Sequence, residues 1–143
     1  MLLYRIGNWC YRHKIPIVTK VMDILIRLIH NSAVYSATSI GEGTVFGYGG
    51  IALVIHKHAT VGRNCVIGSN VTIGGKSGSK NVPVIEDNVY IATGAKILGS
   101  VIVGEGAVIG ANAVVVKDVP ARSVAAGVPA KIIATNIDPR DYS

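Results

Sequence analysis

The sequence predicts an all-β core, a solenoid of six-residue units, preceded by a short helical segment. Three observations predict it. From residue 34 a large apolar residue recurs every six positions: Val34, Ile40 and Phe46, then Ile55, Val61, Ile67 and Ile73, then Ile85, Ile91, Ile97, Val103, Ile109 and Val115. Four places after these starts stands a small residue: Thr38, Thr44, Ala59, Cys65, Val71, Val89, Ala95, Val101, Ala107, Ala113 and Val119. The composition agrees, because the 143 residues are 50% hydrophobic but only 15% charged, with 17 Gly, one Phe and one Trp. So apolar a chain is not disordered, and its length suits one domain.

The physical reading of the repeat is direct. Six residues supply one short strand and one turn, so three units close a triangular coil of about 18 residues, and stacked coils bond as parallel strands. The large side chains fill the interior, and the small residue fits where the chain bends. Glycine often follows the start of a unit, at Gly41, Gly47, Gly62, Gly68, Gly74, Gly104 and Gly110, and tolerates backbone angles that other residues avoid. Cys65 falls on a small inward position and reads as core. Cys10 and Cys65 have no metal-ligand spacing, and two cysteines make no disulfide framework; no metal is expected, and the setting reads as a reducing cytosol.

Residues 1–31 read as a helical cap. Leu3, Ile6 and Cys10, then Val21, Ile24, Leu25 and Leu28, recur at helical spacing, and Pro16 divides the segment into two helices. The segment carries Arg5, Arg12, Lys14, Lys20 and Arg27 against one acid, Asp23. That balance and Trp9 keep a peripheral membrane contact as the alternative to a packed cap. The stretch from Val21 to Ile29 is interrupted by Asp23 and Arg27 and is too short to span a bilayer. No secretory signal is visible. His13 and His30 read as structural. The net charge of +6 contains no Lys/Arg run, so nucleic acid is not the expected partner.

The repeat region covers 34–133 and breaks its rhythm twice. The step from Phe46 to Ile55 is nine positions. The step from Ile73 to Ile85 is twelve, and within it 75–83 (GKSGSKNVP) reads as a polar protruding loop. Such departures are where function sits. Residues 134–143 read as a polar C-terminal tail.

Three segments, VTIGGKSG (71–78), VYIATGAKILGSVIVGEGAVIGANAVVVKDVP (89–120) and AAGVPAKII (125–133), carry a resemblance. The chain resembles the hexapeptide-repeat acyltransferases, in particular serine acetyltransferase and related bacterial O-acetyltransferases of sugars and polysaccharides. The resemblance implies a left-handed parallel β-helix, a homotrimer with active sites in clefts between neighbours, and acetyl-CoA as co-substrate. It also implies that Thr93, Gly94 and Ala95 receive the pantetheine arm. Ala111, Asn112, Ala113 and Lys117 would lie further along the cofactor path, and Gly127, Pro129 and Lys131 near the CoA nucleotide, where a cation suits phosphates.

The implied chemistry needs a base to take the acceptor hydroxyl's proton as it attacks the thioester, and backbone N–H groups to hold the oxyanion. Here the sequence departs from the family. The first family histidine falls on Tyr48 or Gly49, and the second on Val82. His56 and His58, in LVIHKHAT, stand close by and point outward, because Ile55 and Ala59 take the inward places. His56 adjoins the irregular segment and is the first candidate base. His58 is the second, and both also fit as plain surface histidines. Tyr48 suits substrate positioning, since a phenol with a reference pKa of about 10 is a poor base. The expected activity is acetyl transfer to a hydroxyl of serine or of a sugar or polysaccharide precursor. The short segment ahead of the repeats tilts the choice slightly to a sugar. The alternatives are a non-catalytic scaffold subunit and an N-acyltransferase acting on an amino sugar.

Overall fold

The computed structural model describes residues 1–77 and 81–142. The expected loop 75–83 is thus described at 75–77 and 81–83, and its centre lies outside the described residues.

The six-residue rule places strands on three parallel faces. One face stacks β1 (Ala33–Val34), β4 (Val54–Ile55), β7 (Thr72–Gly74), β10 (Lys96–Leu98) and β13 (Val114–Val115). A second stacks β2 (Ser39–Ile40), β5 (Thr60–Val61), β8 (Val84–Ile85) and β11 (Ile102–Val103). The third stacks β3 (Val45–Phe46), β6 (Val66–Ile67), β9 (Tyr90–Ile91), β12 (Val108–Ile109) and β14 (Ser123–Ala126). Register is held by residues of one kind: Val34 pairs with Ile55, Ile55 with Ile73, Ile73 with Ile97 and Ile97 with Val115. These side chains form a column through the interior and are almost wholly buried. Burying each such aliphatic contributes roughly 1.5–3 kcal/mol.

The bends obey the second rule. Ala59, Cys65, Val71, Val89, Ala95, Ala107 and Ala113 are buried at the corners. Coil stacking also explains the glycines. A Cβ placed on Gly62 would lie 2.6 Å from the Glu86 carbonyl carbon and 2.7 Å from the Asp87 nitrogen, so one backbone passes where a side chain would be.

Two helices, α1 (Leu2–Arg12) and α2 (Pro16–His30), close the first coil. Polar bonds to backbone groups of that coil hold them. Tyr4 is fully buried and its hydroxyl donates to the Thr38 carbonyl at 2.6 Å. The Arg5 guanidinium donates to the carbonyls of Ile40 and Gly41 at 3.0 and 2.8 Å, and the Asn8 amide to that of Ser36 at 2.7 Å. The Asp23 carboxylate accepts from the Ser36 N–H and hydroxyl at 2.8 and 2.5 Å. Gly7 sits against this knot, where a Cβ would collide with the Ser36 hydroxyl.

At the other end the chain folds back. β15 (Lys131–Thr135) runs antiparallel to β14, with Ser123 opposite Thr135. The stretch expected as a polar tail from 134 therefore begins inside a strand. Its next residues are tied as well: Arg122 donates from Nε to the Ile137 carbonyl at 3.0 Å. Arg140 hydrogen-bonds Asp138 and holds that carboxyl down at about 2.

Two pairs of buried groups give measurable expectations. Thr38 Oγ1 is a buried hydroxyl without a hydrogen-bond partner among the described residues, whereas Thr44 Oγ1 donates to the Gly62 carbonyl at 2.7 Å and accepts from the Cys65 N–H at 3.1 Å. Thr38→Val is expected to raise stability by about 1 kcal/mol and Thr44→Val to lower it by about 1–2 kcal/mol, read from urea denaturation midpoints. Both cysteines are buried, and burial pushes the Cys65 thiol up. Neither should react with a thiol reagent such as DTNB in the native protein on the timescale of a free thiol, and both should react in denaturant.

Candidate functional site

The first break in rhythm leads into the strand that carries the candidate base. Residues 47–53 hold extra chain between the third and first faces, and the excess turns through Gly47–Gly49. Its central residue, Tyr48, has φ 51 and ψ 35 and is 80% exposed. A left-handed aromatic is costly unless its surroundings fix it. Here the Gly50 N–H donates to the Gly47 carbonyl at 3.0 Å, and Gly50, with φ 80, is packed beside Met1 and Phe46.

The chain then enters β4 and delivers His56. Its N–H donates to the Ile73 carbonyl at 2.8 Å, and its carbonyl accepts from the Ala59 N–H at 2.9 Å, so its backbone is fixed by the ladder and the next bend. His56 is half-buried and His58 is exposed. Their ring centroids lie 5.6 Å apart. The His58 N–H donates to His56 Nδ1 at 3.2 Å. A neutral imidazole that accepts at Nδ1 carries its proton on Nε2. The lone pair of His56 is thus turned to a backbone N–H, and this long bond must yield before the ring takes a proton from a hydroxyl.

Register explains the space around His56. Tyr35, His56 and Gly74 follow Val34, Ile55 and Ile73, which are paired on consecutive coils. His56 therefore stands between a tyrosine on one coil and a glycine on the next. Together with Ala33, Val54, Lys57 and Ile73 they line a groove of about 390 Å³. A second groove of about 330 Å³ runs between α2 and β1 and shares Ala33 and Tyr35 with the first. Lys20, Arg27 and Leu28 line it. Sequence reasoning missed Tyr35, Lys20 and Arg27. A signal for Tyr35 existed, because it fills the place where seven other units carry glycine.

The residues expected along the cofactor path lie elsewhere on the solenoid. Thr93 and Asn112 are exposed on consecutive coils, joined by a bond from the Asn112 N–H to the Thr93 carbonyl at 3.0 Å. Gly94 lies beneath Asn112 with φ 79, and its N–H donates to the Ser69 carbonyl at 2.9 Å. Ala111 is exposed. Ala95 and Ala113 are wholly buried, and both backbone groups of each are spent inside the coil: their carbonyls accept from Thr72 and Lys96 at 3.0 and 2.8 Å, and their N–H groups donate to Ala92 and Gly110. They shape the bend and offer no polar group to a ligand. Lys117, Gly127, Pro129 and Lys131 are exposed at the C-terminal end. There the Gly127 carbonyl accepts from the Val114 N–H at 3.0 Å, so this loop also covers the edge of β13. None of these residues lines the His56 groove. Val82 is half-buried beside Gly75. Among the described residues no cluster of three or more His, Cys, Asp or Glu side chains is arranged to hold a metal.

Comparison with known proteins gives consistent matches. A family model described as the bacterial transferase hexapeptide (six repeats) matches residues 83–117. The chain is 33% identical to a serine acetyltransferase of Synechococcus elongatus, over 100% of this chain and 60% of that protein. It is similar to the serine acetyltransferase of Brucella abortus in complex with coenzyme A, with a TM-score of 0.87, 32% identity, and coverage of 94% of this chain and 54% of that one. It is also similar to the Neisseria gonorrhoeae serine acetyltransferase in complex with serine, with a TM-score of 0.84, 30% identity, and coverage of 92% and 54%. The chain thus spans between half and two thirds of the length of these relatives. The solenoid is a left-handed β-helix, as the repeat and these neighbours have it.

Gly94 offers a clean test of the path's backbone. A Cβ there would collide with Asn112 Oδ1, and the residue sits at positive φ. Gly94→Ala is expected to cost about 1–3 kcal/mol, read by urea denaturation, while Asn112→Gly in the same background relieves the collision and recovers part of the loss.

Proposed function

Because the chain carries the bacterial transferase hexapeptide and resembles serine acetyltransferases along its whole length, we propose that it transfers the acetyl group of acetyl-CoA to a hydroxyl, with serine the first acceptor to test. The observation that carries this reading is the likeness to solved serine acetyltransferases bound to coenzyme A and to serine. Neither a scaffold role nor N-acylation is favoured, since the likeness runs over the whole chain and not over the repeat alone.

In this reading the acceptor oxygen attacks the thioester carbonyl carbon, the carbon–sulfur bond breaks, and the acceptor proton passes through a base to the departing thiolate. His56 is that base. Its half-buried ring in the groove between Tyr35 and Gly74 supports the assignment. The His58 N–H holds Nδ1 of the resting ring and lets go as the base acts, and His58 is the second candidate for the same task. The Tyr48 hydroxyl positions the acceptor. Thr93, Gly94, Ala111 and Asn112 follow the pantetheine arm, and Lys117 and Lys131, with the turn at Gly127 and Pro129, meet the phosphates of CoA. Ala95 and Ala113 keep only a shaping role. A homotrimer, with each cleft completed by a neighbour, a cytoplasmic setting and a peripheral place at the inner membrane surface belong to the same reading.

The test is thiol release from acetyl-CoA with L-serine as acceptor. His56→Ala is expected to slow it by about 10²–10⁴-fold, and His58→Ala far less. Full activity of His56→Ala would remove His56 from the mechanism. No serine-dependent release by the wild type, with acetyl-CoA still bound, would move the acceptor to a sugar hydroxyl.

A further inference from the structure

Each N-terminal helix buries one face in the solenoid and leaves a second apolar face uncovered. In α1 the buried residues are Tyr4, Gly7 and Cys10. Leu2, Ile6 and Trp9 are 74%, 41% and 57% exposed, and the four-three spacing of these positions puts them on one side. In α2 only Ile26 is fully buried. Ile17, Val21, Ile24 and Leu28 are 77%, 45%, 57% and 75% exposed, again at four-three-four spacing. That is a continuous apolar stripe on the side of the helix opposite Ile26.

The charge beside these stripes has one sign. Residues 1–31 carry five basic residues and a single acid. That acid, Asp23, is occupied by the N–H and hydroxyl of Ser36, while Arg12, Lys14, Lys20 and Arg27 are exposed. Apolar stripes flanked by cations, with the single acid Asp23 bonded to Ser36, fit one surface above others, a bilayer carrying anionic headgroups. Among the described residues no helix is long and apolar enough to cross a membrane, so the contact is made from one side.

We infer that α1 and α2 seat the protein on an anionic membrane surface, with the apolar stripes in the headgroup boundary and Arg12, Lys14, Lys20 and Arg27 against lipid phosphates. This seat gives the peripheral location proposed above its residues and its lipid chemistry, and rests on that reading.

Trp9 is the only tryptophan and lies on the α1 stripe, so it reports the contact directly. The protein is mixed with vesicles of phosphatidylcholine, with and without phosphatidylglycerol. A blue shift of Trp9 emission and co-sedimentation with the anionic vesicles are expected. Ile17→Glu with Val21→Glu should abolish both, and Arg12→Gln or Lys20→Gln should each weaken binding about fivefold at low salt. Absence of binding to either vesicle overturns the inference, as does equal binding to both. Concentration-dependent self-association of the wild type, dissolved by the same glutamate variants and without vesicle binding, also overturns it and gives the stripes to a second copy. Thiol release in vesicle-free buffer reads the proposed acetyl transfer separately, so either reading can fail alone.

Discussion

Each six-residue unit must hand its strand to the coil before it in parallel register, and the rest of the molecule depends on that. A slip of one residue would turn Ile55, Ile73 or Ile97 out of the interior and bring charged or polar neighbours in. The corners enforce the same requirement from the backbone side. Where Gly62 passes the bend at Glu86 and Asp87, there is no room for a Cβ. Side-chain packing and backbone contact therefore select one alignment of the coils.

Extra chain is tolerated only where it leaves this ladder intact. The segment 47–53 adds residues between β3 and β4, yet Val34 still pairs with Ile55 and Ile55 with Ile73. The longer departure before Ile85 also leaves Val61 opposite Ile85. The solenoid acts as a fixed frame, and the two departures leave from its corners. His56 belongs to the frame and Tyr48 to the departure. The candidate base is held by ladder hydrogen bonds after β4, and the candidate positioning residue by the left-handed turn at Gly47–Gly49 before it.

The solenoid was readable because its signals are local and periodic. Ile40, Ile67 and Ile91 declare their burial by spacing, and Cys65 declares its place by size. The helices were readable as helices from Leu3, Cys10 and Ile24, but not the way they dock. That depends on single polar bonds, such as Tyr4 to Thr38 and Asp23 to Ser36, between residues far apart in the chain. The outward direction of His56 followed from Ile55 and Ala59. The state of its ring did not, because it is set by one backbone N–H two residues away. Ala95 and Ala113 could be placed on the path by pattern, but only the hydrogen bonds of neighbouring coils reveal that their polar groups are already in use. The return of the chain as β15 ran against the repeat, since Ile132 and Ile133 carry no six-residue partner.

The antiparallel return of β15 matters beyond its own residues. A stack of identical coils has no natural last member, and the final coil would offer bare strand edges to any similar surface. Here the end of the third face is occupied by a strand of opposite direction, the first face is closed by Gly127 and Ala130 bonding to Val114, and the second ends at the bridge from Val103 to Val119. Reversing one strand interrupts a pattern that favours endless growth. β15 thus caps the last coil, covering the parallel edge that β14 would otherwise offer to a similar surface.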